Sequence, residues 1–202
     1  MVQGRARDLS FPVVGDLLPR EHRWNLSAAI RRACPFMCSS NCLGIFPIRG
    51  QRAAGDLIRL PKSSVLRIRL NHRGVCLYRG LAGEVLDVQG HLIRLGPPVS
   101  RAIEPRQTLY SDVVFFEGGR TREDVMIRIG QELRMLGVHG DVRSGEAVRF
   151  HSWKGECCGY EIGVSGLCER DSLTLQEKGV GDLRILGCGL FEPWSGRKMH
   201  RA

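Results

Sequence analysis

The sequence predicts an α+β chain made of two successive units. Three observations carry this. The chain has 202 residues, 43% of them apolar, enough for one large domain or two small ones with real cores. Several stretches alternate with period two, as in Ser64–Leu70, where Leu66, Ile68 and Leu70 share one face and Val65, Arg67 and Arg69 the other. The order strand, helix, several strands occurs twice, on either side of a proline-bearing link that includes Gly96-Pro97-Pro98 and Pro105. What repeats is the order of elements, not the residues.

In the first unit, residues 1–8 are polar and read as loose, and Leu9 to Val14 reads as a strand. Pro19 suits a first helical position, and Glu21 falls in the first turn, where the helix dipole favours a carboxylate. The helix runs to about Cys34, where Pro35 stops it. Leu26, Ile30 and Ala33 form its apolar stripe, and Arg20, Arg23, Ser27 and Arg31 form a basic one. Strands follow at Gly55–Leu60 and Ser64–Leu70, then a hairpin from Val85–Val88 to His91–Leu95 across Gln89-Gly90. Leu77–Leu81 pairs with these strands or covers them, and no second helix stands out. The second unit opens with a strand, Leu109–Phe116, and a turn at Gly118-Gly119. Thr121 with Asp124 resembles a capping box, Val125, Ile129, Leu133 and Leu136 form a buried stripe, and Gly137 ends the helix. Strands at Val148–Trp153 and Cys158–Val164 precede a short helical run, Ser172–Lys178, and a last apolar stretch, Leu186–Phe191, reads as a strand. Two ferredoxin-like βαββαβ units in tandem, residues 1–106 and 107–202, account for this order, with a glycine-rich loop near the C-terminus.

The net charge is +9, and of the 30 basic residues only Lys62, Lys154, Lys178 and Lys198 are lysine. Arginine pairs with phosphate through two parallel N–H bonds and stacks on flat rings. An arginine-rich, positive chain points to a polyanion partner, although a GC-rich genome also favours arginine. The cysteines, Cys34, Cys38, Cys42, Cys76, Cys157, Cys158, Cys168 and Cys188, are scattered and read as thiols in a reducing cytoplasm. Cys34, Cys38 and Cys42 lack the Cys-x2-Cys knuckle and a fourth ligand, so a packed helix end is expected there and no metal. No apolar run approaches the ~20 residues of a membrane helix. Asp8, Pro12, Gly15 and Asp16 break any signal-peptide core.

The stretch Gly179–Phe191 places Gly179, Gly181, Gly187 and Gly189 around Arg184. Such a loop turns tightly, and with its amide N–H groups outward it suits a phosphate. Its bland reading is a glycine-rich turn or bulge. The order helix, glycines, strand excludes the dinucleotide fingerprint, which needs strand, glycines, helix.

In matching order over nearly the whole chain, the sequence resembles the CRISPR-associated repeat endoribonucleases, the Cas-six family of the RAMP superfamily, in its short MYXAN-type branch. The resemblance runs through Leu9-Ser-Phe-Pro-Val-Val-Gly15, Leu18-Pro-Arg-Glu-His22, Ser64-Val-Leu-Arg-Ile-Arg69, Leu81-Ala-Gly83 and Gly96-Pro-Pro98. It closes on Asp171-Ser-Leu-Thr-Leu-Gln-Glu-Lys-Gly179 and the glycine loop through Phe191-Glu-Pro193, the most specific block. It implies paired ferredoxin-like folds that bind the repeat RNA of a precursor transcript and cut it once, without metal or cofactor. The 2′-hydroxyl attacks the adjacent phosphate and leaves a cyclic phosphate. It also implies partners: repeat or guide RNA, and the other subunits of an effector complex.

Internal attack needs a base for the 2′-hydroxyl, an acid for the leaving oxygen and a cation for the phosphorane, and histidine serves either of the first two. The histidines are His22, His72, His91, His139, His151 and His200. By the resemblance, His22 is the catalytic one, and the positive helix end favours its neutral form. Spacing alone also allows His22 to pack beside Leu26, Ala29 and Ala33. No tyrosine or lysine lies near it in sequence. The RNA-binding set is Arg20, Arg23, Arg143, Arg149, Lys154, Gly179, Gly181, Arg184, Gly187 and Gly189. His151 and Trp153 lie on the same basic strand as Lys154, where Trp153 could stack a base. Two other readings stay open: a non-catalytic guide-RNA-binding subunit, and a protein-interaction module whose glycine loop is structural.

Overall fold

The computed structural model describes residues 6–35, 42–119 and 121–194, so Cys38, Lys198 and His200 lie outside the described residues. The chain divides into two compact units, residues 1–102 with 151–154, and residues 103–150 with 155–202.

The first unit runs β1 (Arg7–Val14), β2 (Leu17–Pro19), α1 (Arg23–Ala33), β3 (Cys42–Ile45), β4 (Gln51–Arg52), β5 (Leu57–Arg59), β6 (Val65–Leu70), α2 (His72–Tyr78), β7 (Val85–Val88), β8 (His91–Leu95) and β9 (Val99–Ala102). Its main sheet has the order β3-β6-β1-β8-β7, and β9 also pairs with β1. β1 and β6 are antiparallel from Arg7↔Leu70 to Pro12↔Val65, which turns Leu9, Phe11, Leu66 and Ile68 to one side. Those residues form one core with Leu26 and Ile30 of α1 and Val75 and Tyr78 of α2. A small sheet, β2-β5-β4, stands apart.

Three expectations change here. β1 begins at Arg7, so the polar Asp8 lies within a strand. Pro19 ends β2 opposite Leu57 rather than opening the helix, which starts only where the His22 carbonyl accepts the Leu26 N–H at 2.7 Å. The second helix exists as α2, opened by Asn71, whose side chain accepts the Gly74 N–H at 2.9 Å. At seven residues, with a glycine inside, it is too short to show a periodic stripe. The Gln89-Gly90 hairpin is as expected, with φ of 57° and 81° at its two central residues.

The second unit runs β10 (Leu109–Val114), α3 (Arg122–Leu136), β11 (Asp141–Ser152), β12 (Gly155–Ser165), α4 (Glu169–Lys178) and β13 (Glu192–Pro193). Its sheet order, β11-β12-β10-β13, is that of a βαββαβ ferredoxin-like fold. The Thr121–Asp124 capping box is complete, and Gly137 ends α3 with φ of 65°. Val125, Ile129 and Leu133 of α3 share a core with Leu109, Ile162 and Val164 of the sheet and Leu175 of α4. Leu186–Phe191 does not form the last strand, because only Glu192–Pro193 pairs with β10. Gly187 and Gly189 interrupt the stretch with positive φ, which no strand accommodates. Both units are therefore ferredoxin-like, built on antiparallel sheets. Among the described residues, no helix is long and apolar enough to cross a membrane.

On the face of the first sheet away from its core, Arg69 is only 1% exposed. Its Nε and Nη2 donate to the two oxygens of Asp8 at 2.8 and 3.0 Å across the β1–β6 pair. Arg67 stacks over Phe46 at 3.8 Å beside it. Removing one partner of a buried pair costs about 3–5 kcal/mol. Asp8→Ala is thus expected to lower the unfolding free energy in urea by about 3 kcal/mol or more; a loss under about 1 kcal/mol would mean that other groups hold the guanidinium.

Candidate active site and nucleic-acid interface

His22 stands at the junction of three backbone segments. It precedes α1 and follows the end of β2, and its ring faces the segment between β3 and β4. Nδ1 lies 2.8 Å from the Pro19 carbonyl oxygen, and the Ile48 N–H donates to Nε2 at 3.0 Å. Because Nε2 accepts, the proton sits on Nδ1 and is given to Pro19, so the ring is neutral and both nitrogens are engaged. The side chain is buried. Burial is the main reason its pKa is lowered; the Arg23 charge adds to this, and backbone bonds at Pro19 and Arg20 oppose it.

Around this pin the first unit gathers a second group of side chains. Glu21 is half-buried, and one of its oxygens accepts the Arg23 N–H at 3.3 Å. Burial raises its pKa, Arg23 and His151 lower it, and Asp56 raises it. Trp24 meets Trp153, with ring centroids 5.6 Å apart and planes tilted by 46°. That contact brings the turn between β11 and β12 to the start of α1, with His151 and Lys154 exposed beside Trp153. Arg20 is exposed and Arg23 half-buried in the same neighbourhood, whereas Ser27 of the expected basic stripe is fully buried.

The glycine loop lies in the second unit, and its glycine amides do not point outward. The Gly179 N–H donates to Leu175, Gly187 to Arg184, and Gly189 to Val113, at 2.9, 2.9 and 2.7 Å. The Gly181 N–H donates to a carboxylate, Glu132 Oε2, at 2.8 Å. The expected row of outward donors is thus spent on the fold. Glycine is required because the chain crosses itself: a Cβ at Gly181 would lie 2.5 Å from the Phe115 carbonyl oxygen, and one at Gly189 would enter the Val180 backbone. Arg184 is exposed, and its guanidinium donates to the Lys178 carbonyl at the C-terminal end of α4, where the helix dipole favours a cation. Arg143 and Arg149 are exposed on β11, and Arg149 is paired with Glu156 at 3.2 Å. Among the described residues, no three His, Cys, Asp or Glu side chains converge to hold a metal ion.

A model of the Cas6 CRISPR family matches residues 8–196. The chain belongs to the Cas6 family. The CRISPR-associated endonuclease Cas6 of Myxococcus xanthus strain DK1622 is 29% identical over 186 residues, which span 92% of this chain and 80% of that one. The structure from a Cas6-related gene of Pyrococcus furiosus superposes with a TM-score of 0.67 at 11% identity, covering 95% of this chain and 100% of the other. A structure described as an RAMP protein binding different RNA substrates gives a TM-score of 0.63 at 13% identity, covering 93% and 98%. At these identities the two structures speak for the fold.

In this Cas6 chain, sequence reasoning found His22, His151 and Trp153 separately and missed Trp24 and its contact with Trp153. No local spacing connects residues so far apart in sequence. An aromatic on each of the two basic stretches was the available signal.

Two stability tests follow from the geometry. His22→Ala leaves the Pro19 carbonyl and the Ile48 N–H without the ring, and is expected to cost about 2–4 kcal/mol in chemical denaturation. Because the folded ring binds its proton at lower pH than the unfolded value of ~6.5, its contribution is present above that pH. It is lost as pH falls from there toward the folded value, so the wild-type midpoint should drop on acidification and that of His22→Ala should drop less. Gly189→Ala, at φ of 63°, should cost about 3 kcal/mol or more, while Gly80→Ala, with open space at the added methyl, should change stability by less than about 1 kcal/mol. Equal effects at the two glycines would contradict the crossing.

Proposed function

We propose that this Cas6-family chain is a CRISPR precursor-RNA endoribonuclease. It binds the repeat stem-loop and cuts it by attack of a 2′-hydroxyl on the adjacent phosphate, without metal, to give guide RNA. The match to the Cas6 family model over residues 8–196 carries the reading. The Myxococcus relative named as an endonuclease and the net charge of +9 support it. In this reading Arg20, Arg23, Arg143, Arg149, Lys154 and Arg184 meet phosphates. Gly179, Gly181, Gly187 and Gly189 shape the loop that presents Arg184. The protein then stays on its product as a subunit of an effector complex.

His22 occupies the position that the resemblance makes catalytic. With Nε2 accepting the Ile48 N–H, it receives a proton only after that bond opens. We therefore assign it first to positioning: it fixes where α1 starts and hence where Arg20, Glu21 and Arg23 stand. The same observation favours a second reading, a guide-RNA-binding subunit that does not cut.

Incubating purified protein with repeat RNA in excess chelator separates the two. The enzyme reading expects one cut, an upstream 2′,3′-cyclic phosphate, a downstream 5′-hydroxyl, and no cut when the attacking 2′-hydroxyl is replaced by hydrogen. Tight binding with no cut is the outcome of the subunit reading. Removing a phosphate-contacting arginine, as in Arg184→Ala, should weaken binding and reduce the salt slope by about one, since fewer counterions are released.

A further inference from the structure

A ring with both nitrogens held by backbone leaves the proton transfers of the cleavage without a donor and an acceptor. Of the remaining described histidines, His72 and His91 form no ion pair with an acidic side chain among the described residues, and His139 stands 3.5 Å from Asp171. The Asp171 carboxylate is already used there, accepting the His139 backbone N–H at 2.9 Å in the first turn of α4. That pair is a contact at the start of α4 in the second unit.

The start of α1 is different. Within a few residues it presents a half-buried carboxylate, an exposed imidazole, two indoles and three basic side chains, all in the first unit. The indoles are tilted rather than stacked flat, and Trp153 is 50% exposed, so one aromatic face stays open to a ligand. Every nucleobase has a π-face that such a surface accepts without reading its sequence. A base held there is splayed from its neighbour, which frees the intervening ribose and phosphate to reach the in-line geometry that 2′-hydroxyl attack needs.

We propose that Glu21 and His151 are catalytic residues of this cleavage, Glu21 as the base and His151 as the acid, with Trp24 and Trp153 holding the base next to the cut bond. The proposal rests on the endoribonuclease reading above. The 2′-oxygen gives its proton to the Glu21 carboxylate as it bonds the adjacent phosphorus. The phosphorus–O5′ bond breaks, and the leaving O5′ takes the proton of the His151 imidazolium. The products are a 2′,3′-cyclic phosphate and a 5′-hydroxyl, and a proton passed from Glu21 to His151 restores both groups. Burial raises the Glu21 pKa and so makes its carboxylate a stronger base than an exposed one, while the Arg23 charge opposes that rise. Arg20, Arg23 and Lys154 supply positive charge for the phosphorane.

Single-turnover cleavage of repeat RNA by the full chain tests this. Glu21→Gln and His151→Ala should each slow cutting by about 10²-fold or more. RNA affinity should stay within about three-fold, because neither side chain adds much to a polyphosphate interface. Added imidazole should restore part of the His151→Ala rate, since an exposed site admits it, an effect that a purely structural role would not give. Trp153→Ala should weaken RNA binding by about ten-fold, and unchanged affinity would overturn the stacking role. Wild-type rates in both Glu21→Gln and His151→Ala, with wild-type protein still giving the cyclic phosphate, would overturn the assignment and leave the endoribonuclease reading standing. If wild-type protein binds repeat RNA and never cuts it, that reading fails and the assignment with it.

Discussion

The geometry at the start of α1 depends on one imidazole. His22 ties the Pro19 carbonyl to the Ile48 N–H and so joins the end of β2, the first residue before α1 and the segment leading to β4. A buried backbone donor and acceptor without partners are costly, so the ring is in effect part of the main chain. Its neutrality follows from that duty. The residues around the start of α1, from Arg20 to Trp24, take their direction from this junction. His22 is thus an architectural residue first, and its place in the backbone sets where its sequence neighbours Glu21 and Arg23 stand.

Much of the fold was legible. Alternation exposed β6, Thr121 with Asp124 announced α3, and Gln89-Gly90 announced the β7–β8 hairpin, because each of these is decided within a few residues. The misreadings came where tertiary pairing overrides a local preference. Pro19 fits a helix start well, but Leu17–Pro19 finds a strand partner at Leu57–Arg59. α2 is held by Asn71 and its packing, not by an apolar period. At the site, the position of His22 before a helix could be read directly. Its burial could not, since the group that claims Nε2 belongs to Ile48.

The glycine loop shows a different limit. A run of Gly-x-Gly pairs fits both an anion cradle and a backbone crossing, and the sequence does not distinguish them. The crossing wins here because the donors go to Leu175, Val113 and Glu132. A carboxylate bound to the Gly181 N–H occupies the place an outside anion would take. Arg184 stays exposed, with its guanidinium on the Lys178 carbonyl at the end of α4.

Residues 151–154 are grouped with the first unit although they lie deep in the second half of the sequence. Biosynthesis therefore makes the two sides of the Trp24–Trp153 contact at very different times. As the ribosome releases α1, Trp24 has no ring partner, and it waits until about half of residues 103–202 have been translated. A fragment ending at the proline link would carry every residue of α1 and still lack the aromatic neighbour and the imidazole that complete this surface. The surface is thus a late product of translation, and a truncated chain is released without it.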